Sequence, residues 1–270
     1  MIRAARLRLL AVCLVLAGAG AARGADIRCS IDNGAVVVAA AYGPIAGDFL
    51  LDLSQAHSQL HATAAQTAGW TDDHTSRTLR LAGQTLRDFP MSVADLGART
   101  AAFPTNISGV LGADAMRRFA LDLTFTPCRL RLTRGLPPKR PGVHVLNVRT
   151  LGGVPVVSAA ISDGVTARAG LFAIDTASAG SRIADAGFSR ALPAGADPAD
   201  RARPPARLRA VSVGGVLVEQ TPAGVMGPAA PGLSGALGLG VWETVGPIQM
   251  SAVGRRGGGR AKPRRLAASG

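Results

Sequence analysis

Two aspartates stand at the ends of short apolar runs: Asp52 after Phe49-Leu50-Leu51, and Asp175 after Phe172-Ala173-Ile174. Carboxylates delivered by two such strands to one place could not both ionise cheaply, and would share a proton. The ionised member would act as general base on a water, the protonated one would polarise a carbonyl. Taken singly, an aspartate in this position is as readily a turn residue or a helix cap. Other constellations are poorer. His57 and His61 are four apart and would share one face of a helix, but Ser58 stands where a zinc-peptidase helix needs glutamate. No Gly-x-Ser-x-Gly elbow is present for a serine hydrolase. Neither Cys29 nor Cys128 lies in a Cys-x-x-Cys pair. No metal site is therefore assigned.

The elements that carry the two aspartates occur twice. Residues 36–40 (Val-Val-Val-Ala-Ala) lead through Gly43-Pro44 to the run ending in Asp52, and residues 156–161 lead through Asp163-Gly164 to the run ending in Asp175. Each reads as strand, hairpin turn, strand. Downstream, 79–83 and 208–215 alternate as half-exposed strands. Then come Gly109-Val110-Leu111-Gly112-Ala113 and Gly235-Ala236-Leu237-Gly238-Leu239. From Asp52 to Gly112 is 60 positions, from Asp175 to Gly238 is 63. Such a repeat predicts two similar units, and the Gly-rich, Val/Leu-clustered body predicts an all-β chain.

Phe49-Leu50-Leu51-Asp52, Phe172-Ala173-Ile174-Asp175, Val110-Leu111-Gly112 and Ala236-Leu237-Gly238 resemble the motifs of the pepsin-like and retropepsin-like aspartic protease superfamily, in its bacterial secreted two-lobe form. The likeness covers residues 36–133 and 154–243. It implies an all-β fold of two lobes related by a pseudo-twofold axis, with short helices and a cleft between the lobes. Asp52 and Asp175 would meet at the floor of that cleft as the catalytic pair, and Gly112 and Gly238 would thread beside their loops. The resemblance implies a peptide or protein substrate bound in extended form, and no cofactor.

Both loops depart from the Asp-Thr-Gly pattern. The second reads Asp175-Thr176-Ala177-Ser178. Thr176 would brace the loops across the lobes, and Ser178 would orient the outer oxygen of Asp175. Ala177 in place of glycine is costly if the backbone there needs positive φ. The first loop reads Asp52-Leu53-Ser54. Leu53 has no hydroxyl to brace with, which predicts that the Thr176 hydroxyl lacks its mate, at about 1–3 kcal/mol. Ser54 replaces the glycine. The hairpin after Leu79, where a flap would form, lacks the tyrosine of pepsins. The reading is an aspartic-type endopeptidase working through Asp52 and Asp175; the alternative is a catalytically inactive relative that binds peptide or protein in the cell envelope.

The ends carry an address and a charge. Arg3, Arg6 and Arg8 precede an apolar stretch over 9–19, with small residues at Ala22 and Gly24, as in a secretory signal peptide spanning 1–24. Lobes at 25–135 and 143–250 would be joined by a linker at 136–142 (Pro-Pro-Lys-Arg at its centre), and 251–270 would be a basic disordered tail. Four arginines in 1–24 and six basic residues in the tail account for most of the formal +13, leaving +3 on 25–250. A body so nearly balanced argues against nucleic acid as partner. Signal cleavage would leave no integral membrane segment, and the tail would be free to touch anionic surfaces. The expected place is the periplasm or exterior of a bacterium. There Cys29 and Cys128 form an even pair in an oxidising compartment, and a disulfide between them is expected, two unpaired thiols being the other possibility.

Overall fold

A computed structural model describes residues 25–135, 143–184, 207–226, 230–250 and 264–269. The proposed signal segment, the linker and the Pro/Arg/Ala-rich stretch 192–206 lie outside the described residues. The chain begins with a hairpin of β1 (Asp26–Asp32) and β2 (Ala35–Tyr42), followed by β3 (Ile45–Leu51), β4 (Gln59–His61) and helix α1 (Ala62–Thr67). Next come β5 (His74–Leu81), β6 (Gln84–Ala94), α2 (Gly97–Thr100), β7 (Ile107–Leu111) and α3 (Ala113–Met116). Strands β8 (Ala120–Phe125) and β9 (Cys128–Thr133) close the first half. The second half runs β10 (Val143–Leu151), β11 (Val154–Ser162), β12 (Ala167–Ile174), β13 (Ser181–Ala184), β14 (Arg207–Val213), β15 (Val216–Met226) and β16 (Leu233–Leu237). Helix α4 (Leu239–Val245), β17 (Ile248–Met250) and β18 (Arg264–Ser269) complete it.

The repeat read from the sequence reappears pairing for pairing. In the first lobe β2 pairs with β1, β3 and β5, β5 with β6, β6 with β4 in parallel, and β7 with β4 and, in parallel, β3. In the second, β11 pairs with β10, β12 and β14, β14 with β15, β15 with β13 in parallel, and β16 with β13 and, in parallel, β12. The turns match too. Asn33-Gly34 and Ala82-Gly83 in one lobe, Gly152-Gly153 and Gly214-Gly215 in the other, all have positive φ at both central positions. That is the geometry whose twist suits a two-residue hairpin. The protein is thus mostly β, two lobes of one topology with few short helices.

A second layer joins the lobes. Strand β8 lies between β9 and β17, β9 continues to β1, and β18 lies between β17 and β10. One sheet therefore runs under both halves. Its β1–β9 edge carries the Cys29–Cys128 disulfide, with Cα atoms 5.1 Å apart and a sequence separation of 99. The apolar alternation of the strands feeds a core shared by both lobes, from Val36, Phe49 and Leu51 through Leu121 and Leu123 to Val157, Phe172 and Trp242. No helix among the described residues is long and apolar enough to cross a membrane.

Two expectations need correction. The tail 251–270 does not lack structure throughout: Arg264–Ser269 is β18, which pairs with β10 from Val143 to Val148 and supplies the closing strand. The Arg/Gly-rich composition before it hid an apolar stretch, Leu266-Ala267-Ala268, able to pair. The hairpin after Leu79 does not serve as a flap. Gln84 just past its turn is buried and donates to the Leu132 carbonyl of β9 at 3.0 Å, and Gly83 packs on Ala25. Its tip is anchored on the joining sheet.

Candidate active site

Strands β3 and β12 end in the two aspartates, and the same bonds position both. The Asp52 amide donates to the Leu111 carbonyl and the Asp175 amide to the Leu237 carbonyl, each at 2.9 Å. Gly112 donates to the Ser58 hydroxyl at 2.9 Å and Gly238 to the Ser181 hydroxyl at 3.1 Å. The next amides bind back to the loops, Ala113 to the Gln55 carbonyl at 2.8 Å and Leu239 to the Ser178 carbonyl at 2.7 Å. Here the glycines are required by close approach rather than by φ, since both are extended. A Cβ on Gly112 would sit 2.8 Å from the Gln55 oxygen, and one on Gly238 would collide with the Gly180 carbonyl.

Both carboxylates are buried, Asp52 at 3% exposure and Asp175 at 0%. Their inner oxygens are held by the third loop residue. Asp52 Oδ1 accepts from the Ser54 amide at 2.8 Å and the Ser54 hydroxyl at 2.6 Å, and Asp175 Oδ1 accepts from the Ala177 amide at 2.9 Å. Neither Ser54 nor Ala177 is among the non-glycine residues with positive φ, so replacing glycine strains neither loop. The Thr176 hydroxyl is not orphaned. It donates across the lobes to the Leu51 carbonyl at 2.5 Å and accepts from the Leu53 amide at 3.2 Å. Main-chain atoms are its mates, so the side chain at position 53 does not matter for that half of the brace.

The outer oxygens are held by residues the sequence reading missed. Arg99 of α2 meets Asp52 Oδ2 at 2.5 Å, and Arg182 of β13 meets Asp175 Oδ2 at 2.7 Å. Arg182, not the Ser178 hydroxyl, therefore orients the outer oxygen of Asp175. The same Arg182 nitrogen lies 3.3 Å from the Ser54 hydroxyl, so a chain of bonds runs from Asp175 through Arg182 and Ser54 to Asp52. Arg99 also donates to Gln55 Oε1 at 2.8 Å. Arg182 occupies the position that Gln59 holds in the first lobe, each seven residues past its aspartate. A cation within the short run Ser181-Arg182-Ile183 was the one available signal. Arg99, in a four-residue helix between strands, had none.

Burial pushes the Asp175 carboxyl above its ordinary value, and the charge of Asp52 pushes it further, against the opposing pull of Arg182. The two acids therefore feel one another across the lobes. His57 and His61 share no helix face: His61 precedes α1 and its Nδ1 accepts from the Thr63 amide, while His57 is in the loop before β4, 3.9 Å from Asp114.

No family model matches the chain, and no curated protein matches it. Among solved structures, an aspartic proteinase from Irpex lacteus is similar at a TM-score of 0.51 and 14% identity, over 90% of this chain and 96% of that one. At that identity the likeness bears on the fold, which is the aspartic-protease-like arrangement of two β lobes.

Proposed function

We propose that the protein is an aspartic-type endopeptidase whose Asp52 and Asp175 activate a water against a peptide bond. One observation carries this reading. Two buried carboxylates, presented by equivalent loops of two lobes, are linked by one chain of hydrogen bonds through Arg182 and Ser54, and the charge of Asp52 adds to the burial that raises the Asp175 pKa. A structural pair of solvated turn residues would have no such coupling.

The coordination leaves room for the reaction. A carboxylate offers about four acceptor sites. Asp52 uses three of them, on the Ser54 amide, the Ser54 hydroxyl and Arg99. Its remaining site takes a proton from the attacking water. Asp175 uses two, on Ala177 and Arg182, and holds the shared proton that burial favours. That proton bonds the scissile carbonyl as the tetrahedral intermediate forms, and Asp52 then returns a proton to the leaving amine. The apparent pKa values belong to the pair. The Cys29–Cys128 disulfide fits an oxidising compartment and so a secreted or periplasmic place of work.

A second reading has its own support. A guanidinium on each outer oxygen is also what a cleft that binds peptide without cutting it would tolerate. Digestion of a mixed peptide library across pH 3–7, wild type against Asp175→Asn, separates the two. Cleavage by the wild type alone supports the peptidase; equal signals from both proteins remove it and leave the binding role.

A further inference from the structure

Arg99 and Arg182 do more chemistry than orient two acids. They come from opposite lobes, and their side chains are 33% and 43% exposed above carboxylates that are almost completely covered. Each thus has one end on the dyad and part of its side chain open to solvent. A guanidinium has five N–H donors in a fixed fork. Among the described residues, the side-chain bonds of Arg99 go to Asp52 and Gln55, those of Arg182 to Asp175 and Ser54. Donors remain on both. The Arg182 Nε is itself buried without an acceptor. That nitrogen has almost no accessible surface, so the donors a ligand can reach are the remaining ones of the two guanidinium groups.

Charge points the same way. Among the described residues, the ion pairs of the two arginines are with Asp52 and Asp175 alone. In the state that hydrolysis requires, the dyad keeps one proton. Two guanidinium cations then face one carboxylate anion, and the floor of the cleft has an unbalanced positive charge.

We infer that Arg99 and Arg182 select the substrate: the peptide seated on the dyad has an aspartate or glutamate side chain beside the bond in question, and its carboxylate takes the unused guanidinium donors. This rests on the cleft taking an extended peptide, as proposed above. The substrate carboxylate restores neutrality without displacing either aspartate, because a guanidinium can bridge two acids.

The test uses binding, so that it does not depend on turnover. Fluorescent peptides with a reduced, uncleavable central bond are made in matched pairs, with glutamate or glutamine on either side of it, and titrated against the wild-type protein. The glutamate peptides are expected to bind about tenfold tighter or more, less so as salt is raised. Arg99→Gln with Arg182→Gln brings glutamate and glutamine peptides to the same affinity, and Arg182→Lys, which keeps the charge and loses the fork, retains part of the preference. Equal affinity of glutamate and glutamine peptides for the wild type overturns the inference, as does a preference that survives the double substitution in a folded protein. Should the double variant not fold, the wild-type comparison still decides. A protein that prefers glutamate but cleaves nothing sinks the peptidase reading and leaves this one. Cleavage with no charge preference does the reverse.

Discussion

The loop after Asp175 and the loop after Asp52 come from matching strands, and they are held very differently. Thr176 reaches across to both Leu51 and Leu53, and its own carbonyl accepts from the Val36 amide of the other lobe at 2.8 Å. In the reverse direction Leu53 has no hydroxyl. The hairpin registers make Pro155 the counterpart of Val36, and proline has no N–H to give. An apolar cavity of about 330 Å³ opens there, between Leu53, Met116, Phe119 and Pro155. The first loop compensates with side chains. Ser54 adds a hydroxyl to Asp52, and Arg99 reaches in from α2. A twofold site can thus be braced from one side only, provided the weaker loop is tied by its own residues.

If both loops serve one reaction, the difference in bracing vanishes at the level of chemistry. Asp52→Asn and Asp175→Asn are each expected to lower kcat about 10²–10⁴-fold, and the double substitution little further, because the pair acts as a unit. Steady-state hydrolysis of a cleaved library peptide measures this. A variant at either aspartate that retains most of the rate would confine the chemistry to the other loop.

The glycines beside the loops sharpen the contrast in packing. Gly238→Ala drives a methyl into the Gly180 backbone, whereas the added methyl at Gly112 meets its neighbours at 2.8 Å. Both should be destabilising by about 1–3 kcal/mol, Gly238→Ala the more so. Thermal unfolding of the two variants gives the order; the opposite order would mean that the second loop is the softer one.

Thr176→Val and Leu53→Thr probe the brace itself. Removing the Thr176 hydroxyl leaves two buried main-chain groups without it, at about 1–2 kcal/mol. Giving position 53 a threonine would offer the missing half of the brace, worth about 1 kcal/mol. It would also remove apolar atoms from a fully buried side chain already facing a cavity, where truncation costs about 2 kcal/mol or more. Both melting temperatures are therefore expected to fall. A rise in Leu53→Thr would show that the loop after Asp52 can be braced like its partner.

The fold was legible because it is written twice. Strand alternation, Gly-bearing turns and an aspartate at the end of a buried strand are local patterns, and repetition at a spacing of 60 and 63 made them specific. The aspartates, Thr176 and the two close-approach glycines followed from it. What was not legible came from contacts without local period. Arg99 lies 47 residues from the acid it binds, and nothing in Gly97-Ala98-Arg99 marks it. The side chain of Leu53 alone reads as a broken brace; its main chain, which no sequence motif displays, is what satisfies Thr176. The closing strand β18 was hidden by the basic residues before it.

The smallest effect separates the two arginines. Arg182 opposes the rise that burial and the charge of Asp52 give the Asp175 carboxyl, while among the described residues Arg99 bonds to Asp52 and Gln55. Arg182→Gln should therefore move the alkaline limb of the pH–rate profile upward, because the shared proton is then held more firmly; Arg99→Gln, which touches the pair only through Asp52, should move it the same way but less. The linkage can be read without activity. A carboxyl whose folded pKa lies above its ordinary value of 3.8 binds more protons folded than unfolded, so its contribution to stability falls as pH rises through that window. Melting of wild type and Asp175→Asn from pH 4 to 7 should show the variant gaining on the wild type as pH rises. Parallel curves would mean that Asp175 ionises in the fold as it does in the unfolded chain, and the two loops would then differ in packing but not in charge.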